Sequence, residues 1–289
     1  MKIQNVVVLG AGQMGRGIAQ VSAMAGYRTQ MVDVSDEILR AAQENIRKEL
    51  EKGVSLGKLT EEQRDQTLAN LILEKDPEKA ARSADLVIEA LPEDMKLKIS
   101  TFARLDKVAP AHAIFASNTS SLSVTEMAAV TTRAPRILGM HFFNPVHKMK
   151  LLELVQALET TQEVIQIAEE VGRQMGKETV VVRESPGFIT SRINAMIGNE
   201  AFYMLQEGVA TAQDIDKAVK LGLNHPMGPL EMGDMVGLDT RLHVLEYLHE
   251  TLGDKFRPCP LMIQYVKAGR LGRKVGRGVY DYPAQPKKP

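Results

Sequence analysis

Short β-branched apolar runs alternate with amphipathic helical stretches over the first 182 residues of the chain. Runs this apolar are typical of strands buried on both faces, and their alternation with helices predicts a parallel sheet with helices on each side. We therefore expect an α/β protein with a doubly wound, mostly parallel sheet. The predicted strands are NVVVLG, RTQMVDV, ADLVIEA, AIFAS, RILGM, LLELV and TVVV, and Gln162–Met175 is predicted as a helix before the last of them.

Two segments depart from this alternation. The charged stretch Asp36–Lys52 and the polar segment after it predict a helical excursion from the sheet near residues 36–70. After RESPGF, at residues 183–188, the strand pattern ends and helical patterns follow. We expect two domains, residues 1–184 and a smaller all-α domain of residues 185–289 whose PAQPKKP tail is frayed. The helices predicted in it are Ile189–Gln206, Ala212–Lys220, Leu238–Leu252 and Leu261–Ala268.

Charge and cysteine content exclude several classes of function. Lys plus Arg and Asp plus Glu are equal at 36 each, so no net charge attracts nucleic acid or an acidic membrane surface. The one cysteine, Cys259, rules out an internal disulfide and fits a reducing compartment. No apolar run approaches the roughly 20 residues needed to span a bilayer, and the chain opens on a strand instead of a leader. These observations lead us to expect a cytoplasmic protein. The histidines are scattered along the sequence, so no metal site is predicted.

The stretch VVVLGAGQMGRGIA places Gly10, Gly12 and Gly15 in GxGxxG spacing between a predicted strand and a predicted helix. Gly10 permits a tight turn, Gly12 lets the backbone approach a pyrophosphate, and Gly15 lets the helix and the strand pack closely. The helix N-terminus then faces the phosphates. A Gly-rich structural turn has the same residues, but the strand–turn–helix context favours dinucleotide binding in a Rossmann-type fold.

An acidic residue, Asp33, ends the second predicted strand. A carboxylate there accepts hydrogen bonds from a ribose 2′-hydroxyl and repels a 2′-phosphate, and no arginine follows in DVSD. NAD is therefore the expected cofactor, unless Asp33 is only a polar residue at a strand end. The loop VIEALPEDMKLK brings Glu89, Glu93 and Lys98 to the same crevice, although each alone is also typical of a solvated loop or helix.

Polar side chains gather where two further predicted strands end. FASNTSSLS continues from AIFAS, and MHFFNP continues from RILG. Short hydroxyl side chains are also typical of a helix N-cap, and a lone histidine is more often structural than catalytic. Glu153, however, is an acid within the apolar segment KLLELVQAL, and a buried carboxylate is costly unless it is paired. His141, oriented by Glu153, is therefore predicted to be a general base for alcohol oxidation by hydride transfer.

With these residues the sequence resembles the L-3-hydroxyacyl-CoA dehydrogenases, in particular their short-chain bacterial members that act on 3-hydroxybutyryl-CoA. The resemblance covers nearly the whole chain. It implies NAD-dependent oxidation of a short-chain L-3-hydroxyacyl-CoA to a 3-oxoacyl-CoA, a role in fatty acid and butanoate metabolism, and a homodimer formed through the C-terminal domain. Its further motifs are ADLVIEALPEDMKLK, GMHFFNPVHKMKLLELV, SPGFITSRI, KLGLNHPMGPLEMGDMVGLD and GRKVGRGVYDY.

The resemblance also implies roles for single residues. His141 is the catalytic base, Glu153 is its orienting partner, and Ser120 hydrogen-bonds the reacting oxygen. Ser191 stands where many family members have asparagine in an NR pair, so that position keeps a hydrogen-bonding side chain of shorter reach. Besides the three glycines and Asp33, the cofactor-binding residues that it implies are Glu93, Lys98, Asn144 and Lys274.

The acyl-CoA substrate rests mainly on the resemblance. Coenzyme A carries a phosphorylated ADP end, and the helical excursion offers Lys52 and Lys58 as basic contacts, with Arg47 and Lys48 nearby. A charged, solvated helix face explains the same residues, because glutamates are interspersed among them. Two other functions stay open: an NAD-dependent dehydrogenase of another hydroxy acid or sugar acid, and a non-catalytic NAD-binding scaffold. A scaffold would not require a histidine, a carboxylate and a serine together.

Overall fold

The structure, a computed structural model, describes residues 1–283, so the predicted fraying of residues 284–289 lies outside the described residues. The chain folds into two compact units, one of Met1–Ser185 and one that begins at Pro186. The predicted boundary, after residue 184, lies one residue earlier. Among the helices of residues 1–283, none is long and apolar enough to cross a membrane.

The first unit is built on one eight-stranded sheet. Its strands are β1 Asn5–Leu9, β2 Arg28–Val32, β3 Leu71–Glu74, β4 Leu86–Glu89, β5 Ile114–Ser117, β6 Ile137–Phe142, β7 Leu151–Gln156 and β8 Glu178–Arg183. The order across the sheet is β3-β2-β1-β4-β5-β6-β7-β8, and all neighbours are parallel except β6 and β7. Every residue of β4, β5 and β6 is buried, as expected for central strands. The predicted doubly wound, mostly parallel sheet is confirmed.

Helices connect these strands and pack apolar side chains against the sheet. They are α1 Gln13–Met24, α2 Asp36–Ser55, α3 Glu61–Asn70, α4 Pro77–Ala81, α5 Met95–Asp106, α6 Val124–Ala129 and α7 Gln162–Gln174. Helices α2 and α3 form the predicted excursion, and α3 begins with a capping box between Thr60 and Gln63. Strand β3 was not predicted from the sequence, because its four residues follow Asn70 of α3 directly and no turn residue separates them.

The second unit contains helices and no strand in its described residues. The helices are α8 Thr190–Glu207, α9 Ala212–Gly222, α10 Pro229–Val236, α11 Leu238–Leu252 and α12 Pro260–Lys267. Their core includes Phe202, Leu245 and Phe256. Helix α10, a short helix with Gly233 inside it, was not predicted from the sequence. The buried Asp216 carboxylate accepts hydrogen bonds from the N–H groups of the first turn of α10. The predicted smaller all-α domain is confirmed.

A buried arginine joins segments at the edge of the sheet where the parallel strands begin. Arg133 is 7% exposed, and its Nε lies 2.5 Å from Asp106 Oδ1. Its terminal nitrogens donate to the Pro110 carbonyl at 2.7 Å and to the Asp106 carbonyl at 2.9 Å. Burial alone would raise the pKa of the Asp106 carboxyl, but hydrogen bonds from Arg133 and Thr132 outweigh burial and lower it.

We expect Arg133→Met to lower the free energy of unfolding by about 3 kcal/mol, because the Asp106 carboxylate loses its countercharge and several backbone carbonyls lose their donor. Urea unfolding followed by circular dichroism measures this change. Arg173→Met is the control, since Arg173 pairs with Glu170 on the exposed side of α7 and its loss should have little effect. Equal stabilities of the two variants would contradict the prediction.

Candidate active site

The N-terminus of α1 is built to receive an anion. Within the described residues 1–185, each of the helices α2 to α7 has a side chain that caps its first turn, and α1 has none. Its N-cap residue is Gly12, and a Cβ placed there would meet no atom within 4 Å. The backbone of Gly12 therefore faces open space beside uncapped N–H groups and a helix dipole, the arrangement that binds phosphate groups.

The other two glycines hold this loop in place. Gly10 has φ +93°, and a Cβ there would lie 2.7 Å from the Ala90 carbonyl oxygen. A Cβ at Gly15 would lie 1.8 Å from the Gly10 carbonyl oxygen, so no side chain fits between the turn and the helix. These contacts agree with the close packing that the GxGxxG spacing predicted.

Asp33 follows β2 and connects the glycine turn to the start of α2. Its Oδ2 accepts from the Ala11 N–H at 3.0 Å, and its Oδ1 accepts from the Ser35 N–H at 3.2 Å. The carboxylate is thus fixed next to the glycine turn, where it suits a ribose hydroxyl and opposes a 2′-phosphate. Together with the open backbone at Gly12, it makes this edge of the sheet a fit for NAD.

Three charged side chains meet at the end of β4. Lys98 of α5 is 1% exposed, and its Nζ lies 2.7 Å from Glu89 Oε1 and 3.2 Å from Glu93 Oε2. Glu89 is fully buried and also accepts from the Ser117 hydroxyl and the Leu91 N–H, each at 2.6 Å. Lys98 was predicted to contact the cofactor directly, whereas its ammonium is enclosed here by two carboxylates.

Glu93 connects this ion pair to the serine-rich loop. Its Oε1 accepts from the Thr119 hydroxyl and, at 3.1 Å, from the Ser120 N–H. The same carboxylate therefore binds Lys98 through one oxygen and the loop that carries Ser120 through the other. Sequence spacing brought Glu93 to the crevice but gave no sign of Thr119 as its partner.

His141 and Glu153 form a buried pair across two strands. They lie directly opposite each other in the antiparallel pairing of β6 with β7, so both side chains project from the same face. His141 Nδ1 is 2.8 Å from Glu153 Oε2, and the residues are 6% and 1% exposed. The Phe143 ring packs on the imidazole with 4.5 Å between ring centroids. The strand extends to Phe142, so His141 is its penultimate residue and not the residue after it.

Two asparagines tie neighbouring segments together at this edge. Asn118 Oδ1 accepts from the Phe142 N–H at 2.9 Å and so joins the loop after β5 to the end of β6. Asn144 Oδ1 accepts from the Gln13 side chain at 3.1 Å, which places Asn144 beside the first turn of α1. Asn118 was not singled out from the sequence, where it stands among other N-cap-like residues of FASNTSSLS. The structure therefore brings Ser120, His141 and Asn144 to the edge that carries the glycine turn.

Four further predicted residues are carried by other elements of the chain. Lys52, in the last turn of α2, and Lys58, just after it, are exposed. Ser191 lies in the first turn of α8 and Lys274 in a short 3-10 helix, both in the second unit. The Lys274 ammonium is 2.6 Å from both carboxylate oxygens of Asp239. Each of these four roles stays a prediction.

Two family models cover almost the entire chain. Residues 5–185 match the NAD binding domain of 3-hydroxyacyl-CoA dehydrogenase, and residues 187–282 match its C-terminal domain. The chain belongs to the 3-hydroxyacyl-CoA dehydrogenase family. The resemblance noted from the sequence is thereby confirmed, and so is NAD as the cofactor.

Individual proteins also match the chain over nearly its full length. The chain is 47% identical over 283 residues to a Bacillus subtilis protein named "Probable 3-hydroxybutyryl-CoA dehydrogenase", with 98% of each chain covered. It is 44% identical to a 3-hydroxybutyryl-CoA dehydrogenase of Bradyrhizobium diazoefficiens, with 97% of this chain and 96% of the relative covered. The crystal structure of (S)-3-hydroxybutyryl-CoA dehydrogenase from Ralstonia eutropha superposes with a TM-score of 0.95 at 43% identity, covering 98% of this chain and 100% of that one.

Proposed function

We propose that this protein oxidises a short-chain L-3-hydroxyacyl-CoA, such as 3-hydroxybutyryl-CoA, to the 3-oxoacyl-CoA with NAD. The observation that carries the proposal is the buried pair of His141 and Glu153 at the sheet edge that also bears the phosphate-binding turn. A base beside a dinucleotide site suits removal of a proton from an alcohol. The names of the similar proteins supply the substrate class.

The cofactor would be held by groups that are already in place. The N–H groups at the start of α1, next to Gly12, would donate to the pyrophosphate, and Asp33 would accept from the ribose hydroxyls. Asn144, bound to Gln13 of the same helix turn, would lie on the nicotinamide side. When bound, NAD accepts a hydride from the carbon that carries the substrate hydroxyl.

The protein's own residues would handle the proton. Nδ1 of His141 faces Glu153, so Nε2 would accept the proton as the hydroxyl becomes a carbonyl. Glu153 would keep the ring oriented and stabilise the imidazolium that forms. Ser120 would hydrogen-bond the reacting oxygen, and its loop is held by Glu93, which Lys98 holds in turn. We propose that Lys98 serves the cofactor site through Glu93, since its ammonium is enclosed.

Further contacts with the thioester belong to the same proposal. Lys52 and Lys58 would bind phosphates of coenzyme A at the exposed end of α2. Ser191 would supply a hydrogen bond near the substrate, and Lys274 would reach the cofactor from the second unit. In that role the Lys274 ammonium would leave Asp239, its present ion-pair partner, and bind an anionic group of the ligand.

We also propose a cytoplasmic homodimer formed through the second unit. Several large apolar side chains are exposed there, among them Val209, Leu221 and Leu223 at 63%, 76% and 66%. A groove of about 570 Å³ lies among helices of this unit, and Met196, Tyr203 and Leu223 are among the residues that line it. Apolar surface of this extent is typical of a subunit interface. A single species of monomer mass in sedimentation equilibrium would contradict the dimer.

Initial rates of NADH formation test the activity. The wild-type protein is assayed with NAD and either L-3-hydroxybutyryl-CoA or free 3-hydroxybutyrate, with the D-thioester as a stereochemical control. Turnover of the L-thioester alone is the expected result. Turnover of the free acid alone would favour another hydroxy-acid dehydrogenase. NAD binding without turnover of any of these would favour a scaffold.

Asp33→Asn is expected to lower the preference for NAD over NADP by about tenfold or more, because the negative charge that opposes a 2′-phosphate is lost while the shape stays. The ratio of kcat/KM for the two cofactors measures the change. Glu44→Gln, which removes a negative charge from α2 at an exposed site paired with Lys48, should leave that ratio unchanged. An unchanged ratio in Asp33→Asn would argue against a ribose contact.

A further inference from the structure

A buried lysine binds the turn that follows β6, the strand that carries His141. Lys177 precedes β8 and is 8% exposed. Its ammonium donates to the carbonyl oxygens of Val146 and, at 2.8 Å, of Met149. Within residues 1–283 it forms no ion pair with a carboxylate, and burial lowers its pKa. Burying a charge that binds only backbone carbonyls costs free energy, so we expect a role of the ammonium beyond packing.

The strand directions place Lys177 at the edge of the sheet that carries the site. β6 ends at Phe142 on that edge, and β7 runs antiparallel to it. β7 and β8 are parallel, with Leu151 opposite Glu178, so both begin where β6 ends. Lys177 therefore stands beside the turn between β6 and β7, on the same edge as Gly12 and His141.

That turn is also fixed on its other side by α1. A Cβ at Gly17 would lie 2.8 Å from Val146 Cβ, so the valine packs directly on the helix backbone. Asn144 is bound to Gln13 of the same helix. The turn is thus held between α1 on one side and the Lys177 ammonium on the other.

We propose that Lys177 is a positioning residue for the reaction. By binding the carbonyls of Val146 and Met149, it fixes the turn that carries Asn144 against the first turns of α1, where the cofactor is expected. The inference rests on the proposed function. Without the ammonium, the buried carbonyl of Val146 and the partly buried carbonyl of Met149 lose their donor. The turn then moves to find other partners, which displaces Asn144 from the nicotinamide side.

Lys177→Met is expected to lower kcat/KM for NAD by about tenfold or more at saturating thioester, because small displacements in a reacting site have large effects on rate. Arg133→Met is the matched control: it also removes a buried cation from backbone carbonyls, but at the opposite edge of the sheet. Both variants are assayed at a temperature where circular dichroism finds them folded. Equal losses of kcat/KM in the two variants would overturn the inference.

A double substitution tests whether Lys177 acts through Asn144. In an Asn144→Ala background, Lys177→Met should cost much less of the kcat/KM for NAD than in the wild type, since the positioned group is already absent. The same loss in both backgrounds would contradict action through the turn. If Lys177→Met does not fold, Gly17→Ala replaces it. The Cβ of the alanine pushes Val146 from the other side of the turn and should give the same loss of kcat/KM. A wild-type kcat/KM in Gly17→Ala would overturn the inference.

The failure of the proposed function would be distinguishable from the failure of this inference. A wild-type protein that turns over no thioester contradicts the function, and the inference is then judged by NADH affinity alone. Fluorescence titration of NADH should find Lys177→Met about tenfold weaker than Arg133→Met. Equal affinities would overturn the positioning role.

Discussion

His141→Gln is expected to lower kcat by about a thousandfold at saturating NAD and L-3-hydroxybutyryl-CoA. Glutamine has a similar length and can still donate a hydrogen bond to Glu153, but it has no basic nitrogen to accept the hydroxyl proton. NADH formation followed by absorbance measures kcat. The affinity for NAD, measured by calorimetry, should change by less than about twofold, because the lost interaction belongs to the transition state.

A second histidine–carboxylate pair supplies the control. His112 Nε2 lies 3.0 Å from Asp85 Oδ1, and the two residues precede β5 and β4, at the edge of the sheet away from the site. His112→Gln should leave kcat unchanged. Glu153→Gln should lower kcat at least about tenfold, since the ring loses its orientation and its countercharge. A His141→Gln variant with nearly wild-type kcat would remove the histidine from the role of base.

The pairing of His141 with Glu153 was accessible from the sequence for a physical reason. An acid within an apolar run must be paired, and the histidine was the candidate at the neighbouring strand end. How they meet was not predicted. The antiparallel direction of β7 sets the two residues opposite each other. Its sign in the sequence is the connection of only eight residues between Phe142 and Leu151, which is too short for the crossover that parallel neighbours need.

Other parts of the site left no trace in the sequence pattern. Lys177 binds backbone carbonyls 28 to 31 residues away, and backbone groups are the same at every position. Asn118 has a role only because the loop after β5 lies beside Phe142. Lys98 was placed in the right crevice, but spacing alone does not distinguish a side chain that faces a ligand from one that is enclosed by carboxylates. These contacts depend on tertiary packing, which periodicity does not describe.

The network at the end of β4 makes the site dependent on a buried charge. Glu89 holds Lys98, Lys98 holds Glu93, and Glu93 holds the Ser120 N–H. The Glu89–Lys98 pair at the start of this series is buried, and the series ends at the surface with the bond between Glu93 and the Ser120 N–H. A change at Lys98 should therefore affect both folding and chemistry.

Lys98→Met is expected to lower the free energy of unfolding without NAD by about 4 kcal/mol, because the fully buried Glu89 carboxylate loses its countercharge. Activity should also fall about tenfold or more at saturating cofactor, since Glu93 Oε2 loses the Lys98 ammonium and the Ser120 loop loosens. Urea unfolding and steady-state kinetics measure the two effects. Lys96→Met, at an exposed position on the same helix, is the matched control and should change neither.

The double variant Glu89→Gln/Lys98→Met separates the charge from the packing. It removes the uncompensated carboxylate, so it should be more stable than Lys98→Met by at least about 1 kcal/mol. Its activity should stay low, because Glu93 still lacks the ammonium. A different outcome would contradict this account: Lys98→Met could keep the wild-type stability without NAD and only bind NAD more weakly. Lys98 would then be a direct cofactor contact, as the sequence resemblance implied. The ion pair with Glu89 would then not be needed for the stability of the fold.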